Sequence, residues 1–290
     1  MTRRRDVQER ISHLEEIREI LNSMKTLSYM QTRKLTRRIE NQRRMVGAIE
    51  EAAADFLAFH PDVLTAADLP PVCILVGTER GFCGDLNEKV LHHVGARVGV
   101  GETPAPALIA VGYRLGSKLG NDTRLAATIE GADTAEEVDR VLERIVDALE
   151  RLRNQHGPMS LEAIYLNQET EQVTEKSLLP PFRELARSPP RFIASPLLQL
   201  EPHDFLVRLV DQYLLAAVQE ILYTSLMTES RRRVQHLEGA LRHLDKRLES
   251  LERKGRQLRQ EEIIEEIEVI LLGASESPHG GARTSLSSDP

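Results

Sequence analysis

The sequence predicts a small α/β domain carrying a long antiparallel α-helical coiled coil formed by its N- and C-terminal helices. One observation lies near the C-terminus. Residues 202–273 contain no proline after Pro202, and only Gly239 and Gly255 dilute their helix-forming composition. Within them Leu237, Leu241, Leu244, Leu248, Leu251 and Leu258 recur at alternating three- and four-residue steps, with Gly255 in the slot the series would fill. That spacing places one narrow apolar seam along a rod, the pattern of a coiled coil. A second observation lies at the N-terminus, where Val7, Ile11, Leu14, Ile17, Leu21 and Met24 repeat the same spacing. Between these rods, short apolar runs alternate with helical stretches, the third observation, and this indicates a mostly parallel sheet.

The first helix is expected from Thr2 to about Phe59, stopped by Pro61. At 1.5 Å per residue the N-terminal rod measures roughly 85 Å and the C-terminal one roughly 105 Å. The first helix enters the middle of the chain by its C-terminus and the last leaves it by its N-terminus, so the two pair antiparallel. The unequal lengths predict an overhang or a stagger. Residues 72–77 (VCILVG) read as a buried strand. Asp85, with Glu88 three residues later, opens a helix to about Val98 as a capping box. Residues 107–111 (ALIAV) form a second strand, and residues 136–153 a helix with Val138, Val141, Leu142, Ile145, Leu149 and Leu152 on one face. Residues 161–166 (LEAIYL) form a third strand. Residues 167–202, with six prolines, are expected to be mainly loop and turn. The expected domains are therefore 1–60, 70–200 and 203–274, followed by a Gly/Ser/Pro-rich tail, 275–290, of disordered composition.

Composition narrows the function classes. The net charge of −7 gives no reason to expect nucleic acid as the main partner. No stretch approaches the run of about 18 apolar residues needed to span a bilayer. The basic N-terminus MTRRRDVQER lacks the apolar region of a secretory signal, so a soluble cytoplasmic protein is expected. Cys73 and Cys83 are expected to be buried reduced thiols, since no Cys/His set has metal spacing. Charge is nevertheless segregated. Lys25, Arg33, Lys34, Arg37, Arg38, Arg43 and Arg44 face only Glu40 across residues 25–44, while residues 261–268 hold five glutamates and no base. A bias of seven to one is too lopsided for self-paired salt bridges. It points to an acidic protein surface as partner.

The loop at residues 77–84 (GTERGFCG) follows a strand and precedes a helix, where phosphate loops sit. It matches neither glycine fingerprint of nucleotide sites, because no Lys-Ser/Thr follows Gly84. A structural turn is the reading it supports. His92 and His93 are adjacent and cannot share a helical face, and His236 and His243, seven apart, are joined by no carboxylate set. No Ser/His/Asp arrangement is legible. The middle of the chain reads as a mount, with no catalytic residue, cofactor or metal expected.

Over residues 5–274 the chain resembles the γ subunit of rotary F-type ATP synthases. The opening RDVQERISHLEEIREILNSMKTL is similar to the family's first helix, with Arg5, Arg10, Ile11, Ile20 and Met24 matching. TERGFCGDLN resembles its S-D-R-G-L-x-G-x-x-N loop through Arg80, Gly81, Gly84 and Asn87. The C-terminal TES…RQEEIIEEIEVILLGA matches at Glu229, Arg233, Arg259, Gln260, Ile263, Glu266, Ile267, Ile270, Gly273 and Ala274, and Leu178-Leu179-Pro180 resembles the family's L-L-P. Arg256, Ile264 and Val269 depart from it, as do Leu21 and Ser23, and the tail is long; these fit a divergent or alternate bacterial branch.

The resemblance implies a Rossmann-like central domain and a rotor shaft with no chemistry of its own. It implies a ring of three α and three β subunits around the shaft, with ε and the membrane c-ring as further partners, at the cytoplasmic face of the inner membrane. Contacts with β would fall to Arg33, Lys34, Arg37 and Arg38, and to Arg259 and Gln260. Ile263, Ile267, Ile270 and Leu271 would form an apolar bearing tip, Met24 and Lys25 would lie in the coupling region, and Arg80, Gly81, Gly84 and Asn87 would build a structural loop. The leucine series loses phase after Leu258, since Ile263 follows five residues later, so the tip needs a partner beyond the first helix. The residues alone also admit a free coiled-coil adaptor with an α/β head, or a small-molecule enzyme using the loop at residues 77–84.

Overall fold

The computed structural model describes residues 2–64, 69–99, 105–167, 170, 172–183, 185 and 191–275. Of the expected tail, Ser275 closes the last helix and the rest lies outside the described residues. The elements run α1 (Thr2–Leu57), β1 (Pro71–Val76), α2 (Leu86–Gly99), β2 (Ala107–Val111), α3 (Tyr113–Leu119), β3 (Leu125–Ile129), α4 (Val138–His156), β4 (Ser160–Leu166), β5 (Val173–Leu179) and α5 (Pro202–Ser275). Short 3-10 turns occupy Pro61–Val63 and Ala135–Glu137. The chain divides into two compact units, Met1–Ser23 with Gly239–Pro290, and Met24–Glu238, so each long helix contributes to both.

The first unit is a two-helix seam. Val7, Ile11 and Leu248 are buried, and Leu14, Leu244, Leu251 and Leu258 pack half-buried against them. Gly255 sits opposite Val7, whose Cγ1 would lie 3.7 Å from a side chain begun there. That is ordinary van der Waals contact, so Val7 packs over the slot the interrupted leucine series leaves. Arg4 donates to Glu262 at 3.0 Å and Arg18 to Asp245 at 2.7 Å. As the first number rises the second falls, so the pairing is antiparallel, as the connectivity demanded.

The second unit is built on a five-stranded sheet of order β3-β2-β1-β4-β5. β1, β2, β3 and β4 pair in parallel, and β5 is antiparallel to β4. Alternation sorts the strand residues between two cores. Val72, Ile74, Val76, Ile109, Val111, Leu161 and Ala163 join a cluster with α4 and with residues of α1 and α5. Cys73, Leu75, Leu108, Ala110, Ile164 and Leu166 join another with α2 and α3. The two long helices run antiparallel here too: Gln42 donates to the Ala216 carbonyl at 3.0 Å and Ser230 to Gln31 Oε1 at 3.3 Å.

Three elements correct the sequence reading. α3 and β3 were not anticipated, and β5 lies inside the stretch expected to be loop and turn. All three carry weak patterns. α3 is only seven residues long and includes Gly116. β3 and β5 are the sheet's edges, and β5 (VTEKSLL) carries four polar or charged residues in its middle. An edge strand that must not recruit another chain is polar by design, and so loses the hydrophobic signature of a strand. Both cysteines are free and buried. Burial pushes both thiols up, Cys83 to about 12.

Two of the ion pairs on this unit contribute to its acid sensitivity. Hydrogen bonding from Arg124 holds Asp122 below its ordinary 3.8, and hydrogen bonding from Lys118 holds Glu88 below 4.5. A carboxyl depressed in the folded state stabilises the fold above its unfolded pKa, and that contribution is lost as pH falls through the lower folded value. The urea midpoint is therefore expected to be flat from pH 7 to 5 and to drop below about pH 4. The doubly neutral variant Glu88→Gln/Asp122→Asn is expected to flatten that drop; an unchanged profile would show that these pairs do not set it.

Candidate functional site

In an open parallel sheet, ligands bind outside the carboxyl ends of the strands, where the strand order switches direction. Here the order β3-β2-β1-β4-β5 places that switch between β1 and β4. The loop leaving β1 at this point is residues 77–84; the Gly77 N–H still bonds the Val111 carbonyl of β2 at 2.9 Å, and the N–H groups of Glu79 and Arg80 lie beyond the ladder. A phosphate could use those donors in principle. Instead α5 lies in the crevice. Thr228 Oγ1 lies 3.2 Å from the carbonyl of Leu166, the last residue of β4, sharing its one proton with the Thr224 carbonyl at 2.8 Å. At the next residue of the helix, the Glu229 carboxylate accepts the backbone N–H of Glu79 at 3.2 Å and of Arg80 at 3.1 Å.

Glu229 is held in turn by Arg233 one helical turn away, and the two side chains are only 5% and 7% exposed. Arg233 also donates to the Gly81 carbonyl at 3.3 Å and reaches Cys83 Sγ at 3.7 Å. Burial pushes the Glu229 carboxyl upward, while the Arg233 guanidinium and the Arg80 and Glu79 N–H groups pull the other way. A buried carboxylate with three donors is a satisfied one. Leaving either partner unpaired would cost about 3–5 kcal/mol. The chain's own glutamate thus takes the place an anionic ligand would need, which argues against a nucleotide-binding enzyme at this loop.

The remaining loop residues explain the motif. The buried Asn87 on α2 accepts Thr78 N–H at 3.0 Å and returns a bond to Thr78 Oγ1 at 2.8 Å. Glu79 accepts the backbone N–H of Tyr113 at 2.8 Å and of Gly131 at 2.6 Å. Arg80 grips Asp133 with two guanidinium donors, Nε at 2.7 Å. Gly84 has φ +65°, and a Cβ there would come within 2.4 Å of His236 Nε2 on α5. Glycine meets both without strain and without displacing the His236 ring. His236 therefore reads as a packing residue against the loop.

The other expected site residues lie elsewhere. Arg33, Lys34 and Arg37 on α1 are exposed, with no ion-pair partner among the described residues. Arg38 differs, since its guanidinium donates to Tyr223 Oη at 3.4 Å and Glu136 at 3.2 Å. Arg43 likewise meets Glu220 at 3.8 Å. The basic run is therefore partly absorbed by the chain itself, through tertiary pairs that local spacing could not reveal. Met24 and Lys25 are half-buried near the start of the second unit. Arg259 and Gln260 are exposed in the first unit. Ile263 is 46% exposed, and Ile267, Ile270 and Leu271 are 50%, 69% and 64%. Ile264, Val269 and Leu272 in the same stretch of α5 are likewise exposed among the described residues. Glu229 and Arg233 carried no role in the sequence reading. A glutamate and an arginine four apart beside the apolar run ILYTSLM were the signal.

Among the described residues, no group of His, Cys, Asp and Glu could hold a metal ion, and no helix is long and apolar enough to cross a membrane. The family model for ATP synthase matches residues 3–276. The ATP synthase gamma chain of Clostridium perfringens strain 13 is 23% identical over 286 residues, 93% of this chain and 96% of that one. The chain belongs to the ATP synthase γ-chain family. The γ-chain fold extends to solved structures. The rotor of the Euglena gracilis mitochondrial ATP synthase, in rotational state 1, superposes with a TM-score of 0.62 at 16% identity, covering 90% of this chain and 99% of its own. The central stalk and c-ring structure from Tetrahymena thermophila gives 0.55 at 19% identity, covering 76% and 99%. In this γ-family chain the TERGFCGDLN motif serves as the socket for α5, which is why Arg80, Gly81, Gly84 and Asn87 stand together.

Proposed function

We propose that this γ-family chain is the central-stalk rotor subunit of an F-type ATP synthase or ATPase, coupling ion flow through a membrane sector to ATP synthesis or hydrolysis by rotation. The observation that carries the reading is the family match across residues 3–276, both long helices and the sheet included. The partners are a ring of three α and three β subunits, an ε subunit and a c-ring. The chain itself is non-catalytic, and the coupling ion, proton or sodium, is chosen by membrane subunits. It acts at the cytoplasmic face of the inner membrane through that assembly.

The residues divide the work by chemistry. The apolar tip of Ile263, Ile267, Ile270 and Leu271 turns against an apolar sleeve of the ring, where directional bonds would impede sliding. Arg259 and Gln260 hydrogen-bond β, and Arg33, Lys34 and Arg37 face acidic segments of β, with Met24 and Lys25 in the coupling region. The rotor must meet each β site differently, because a partner with equal affinity for every state shifts none. Affinity purification of the tagged chain from its own cells tests the reading. Recovery with α and β chains at one to three supports it, whereas a homo-oligomer without nucleotide-binding partners would establish the adaptor instead.

A further inference from the structure

The loop at residues 77–84 is tied to more elements than a turn requires. Asn87 binds it to α2, Glu79 to the start of α3 and the segment after β3, and Arg80 to the segment before α4. Glu229 and Arg233 bind it to α5. Gln31 on α1 closes the set, donating to the Asp133 carbonyl at 2.6 Å while its Oε1 accepts Ser230 of α5 at 3.3 Å. Apolar packing between helices and sheet is non-directional and yields to small rotations about a helix axis. Hydrogen bonds weaken steeply off their preferred angle, so a directional cluster resists such rotation. Buried ion pairs contribute little net stability against apolar replacements of equal volume, and are best explained where they fix one register.

We propose that Glu229 and Arg233 are positioning residues, the joint through which the α/β body grips α5 so that torque passes between them without slip. α5 is seated at the sheet's switch point, the loop at residues 77–84 is the socket, and Glu229 is the pin. The proposal rests on the rotor reading and adds to it which contacts carry the load within the subunit.

The test uses the assembled complex in lipid vesicles and reads two quantities: ATP hydrolysis and the ATP-driven membrane voltage reported by a potential-sensitive dye. Voltage serves for either cation. Glu229→Gln/Arg233→Met conserves volume and removes the charges, so the melting temperature of the full chain should stay within about 3 °C of wild type. Hydrolysis should stay within about twofold, while voltage formed per ATP falls at least threefold, since a slipping joint lets the motor turn without driving the membrane sector. A residue that merely stabilises the fold would move the melting temperature and leave the ratio alone. Should the double variant fail to assemble, Arg233→Lys is read in its place: it keeps the charge, loses the fork that spans Glu229 and Gly81, and should lower the ratio about twofold. The wild-type complex is measured first. No voltage there overturns the rotor reading and the joint with it; voltage in wild type with an unchanged ratio in the variants overturns the joint alone.

Discussion

Replacing Gly112 by alanine is expected to cost the second unit about 3 kcal/mol or more. Gly112 links β2 to α3 with φ +109°, a conformation that side chains rarely adopt. An added Cβ would lie 2.8 Å from the Thr78 carbonyl oxygen and 3.1 Å from the Gly77 carbonyl carbon. Both are backbone atoms of the socket loop, and Thr78 O already accepts the Arg114 N–H at 3.1 Å. Relief would therefore have to move the sheet's switch point. Against a total stability of about 5–15 kcal/mol, such a loss should lower the urea midpoint by a fifth or more. Gly47 supplies the opposite case: it lies in mid-α1 with open space around its Cα. Gly47→Ala should stabilise by about 0.5–1 kcal/mol through helix propensity alone. A Gly112→Ala protein within about 1 kcal/mol of wild type would refute the account of the switch point.

Neutralising Arg33, Lys34 and Arg37 together is expected to lower ATP-driven voltage per ATP about tenfold in the reconstituted complex, with the isolated chain's stability unchanged. Exposed surface residues without partners rarely move stability by more than about 0.5 kcal/mol, so the fold should not register the change. Three cations facing acidic segments at about 0.5 kcal/mol or more each would together be worth roughly tenfold in an equilibrium. High salt should mimic the triple variant in wild type and have less effect on the variant itself. Arg38→Ala should behave differently. It breaks the contacts to Tyr223 and Glu136, and so is expected to reduce stability of the isolated chain as well. Full voltage in the triple variant would remove these three residues from the coupling surface.

The contrast between Arg37 and Arg38 shows where sequence reading stops. Both lie exposed in one lopsided basic run, yet among the described residues only Arg38 reaches a partner, Glu136, about a hundred residues away in the chain. Helical periodicity records which residues share a face and is silent about what that face meets. The same limit hid β5, whose polar middle suits an edge, and α3, too short to show a period. It also hid the pin. Glu229 was visible as a matching position, but only folding brings it beneath the N–H groups of Glu79 and Arg80.

Local and periodic features were determined by the sequence itself. The leucine steps set the seam of Val7, Ile11 and Leu248, and the proline-free stretches set α1 and α5. Chain connectivity made the helix pairing antiparallel. Only the tertiary structure decided that α5 fills the crevice where an open sheet would bind a ligand, and that the glycine loop is its socket. The physical reason is range: a seam repeats within one helix and can be counted, whereas a buried charge finds its partners across about 150 residues of chain.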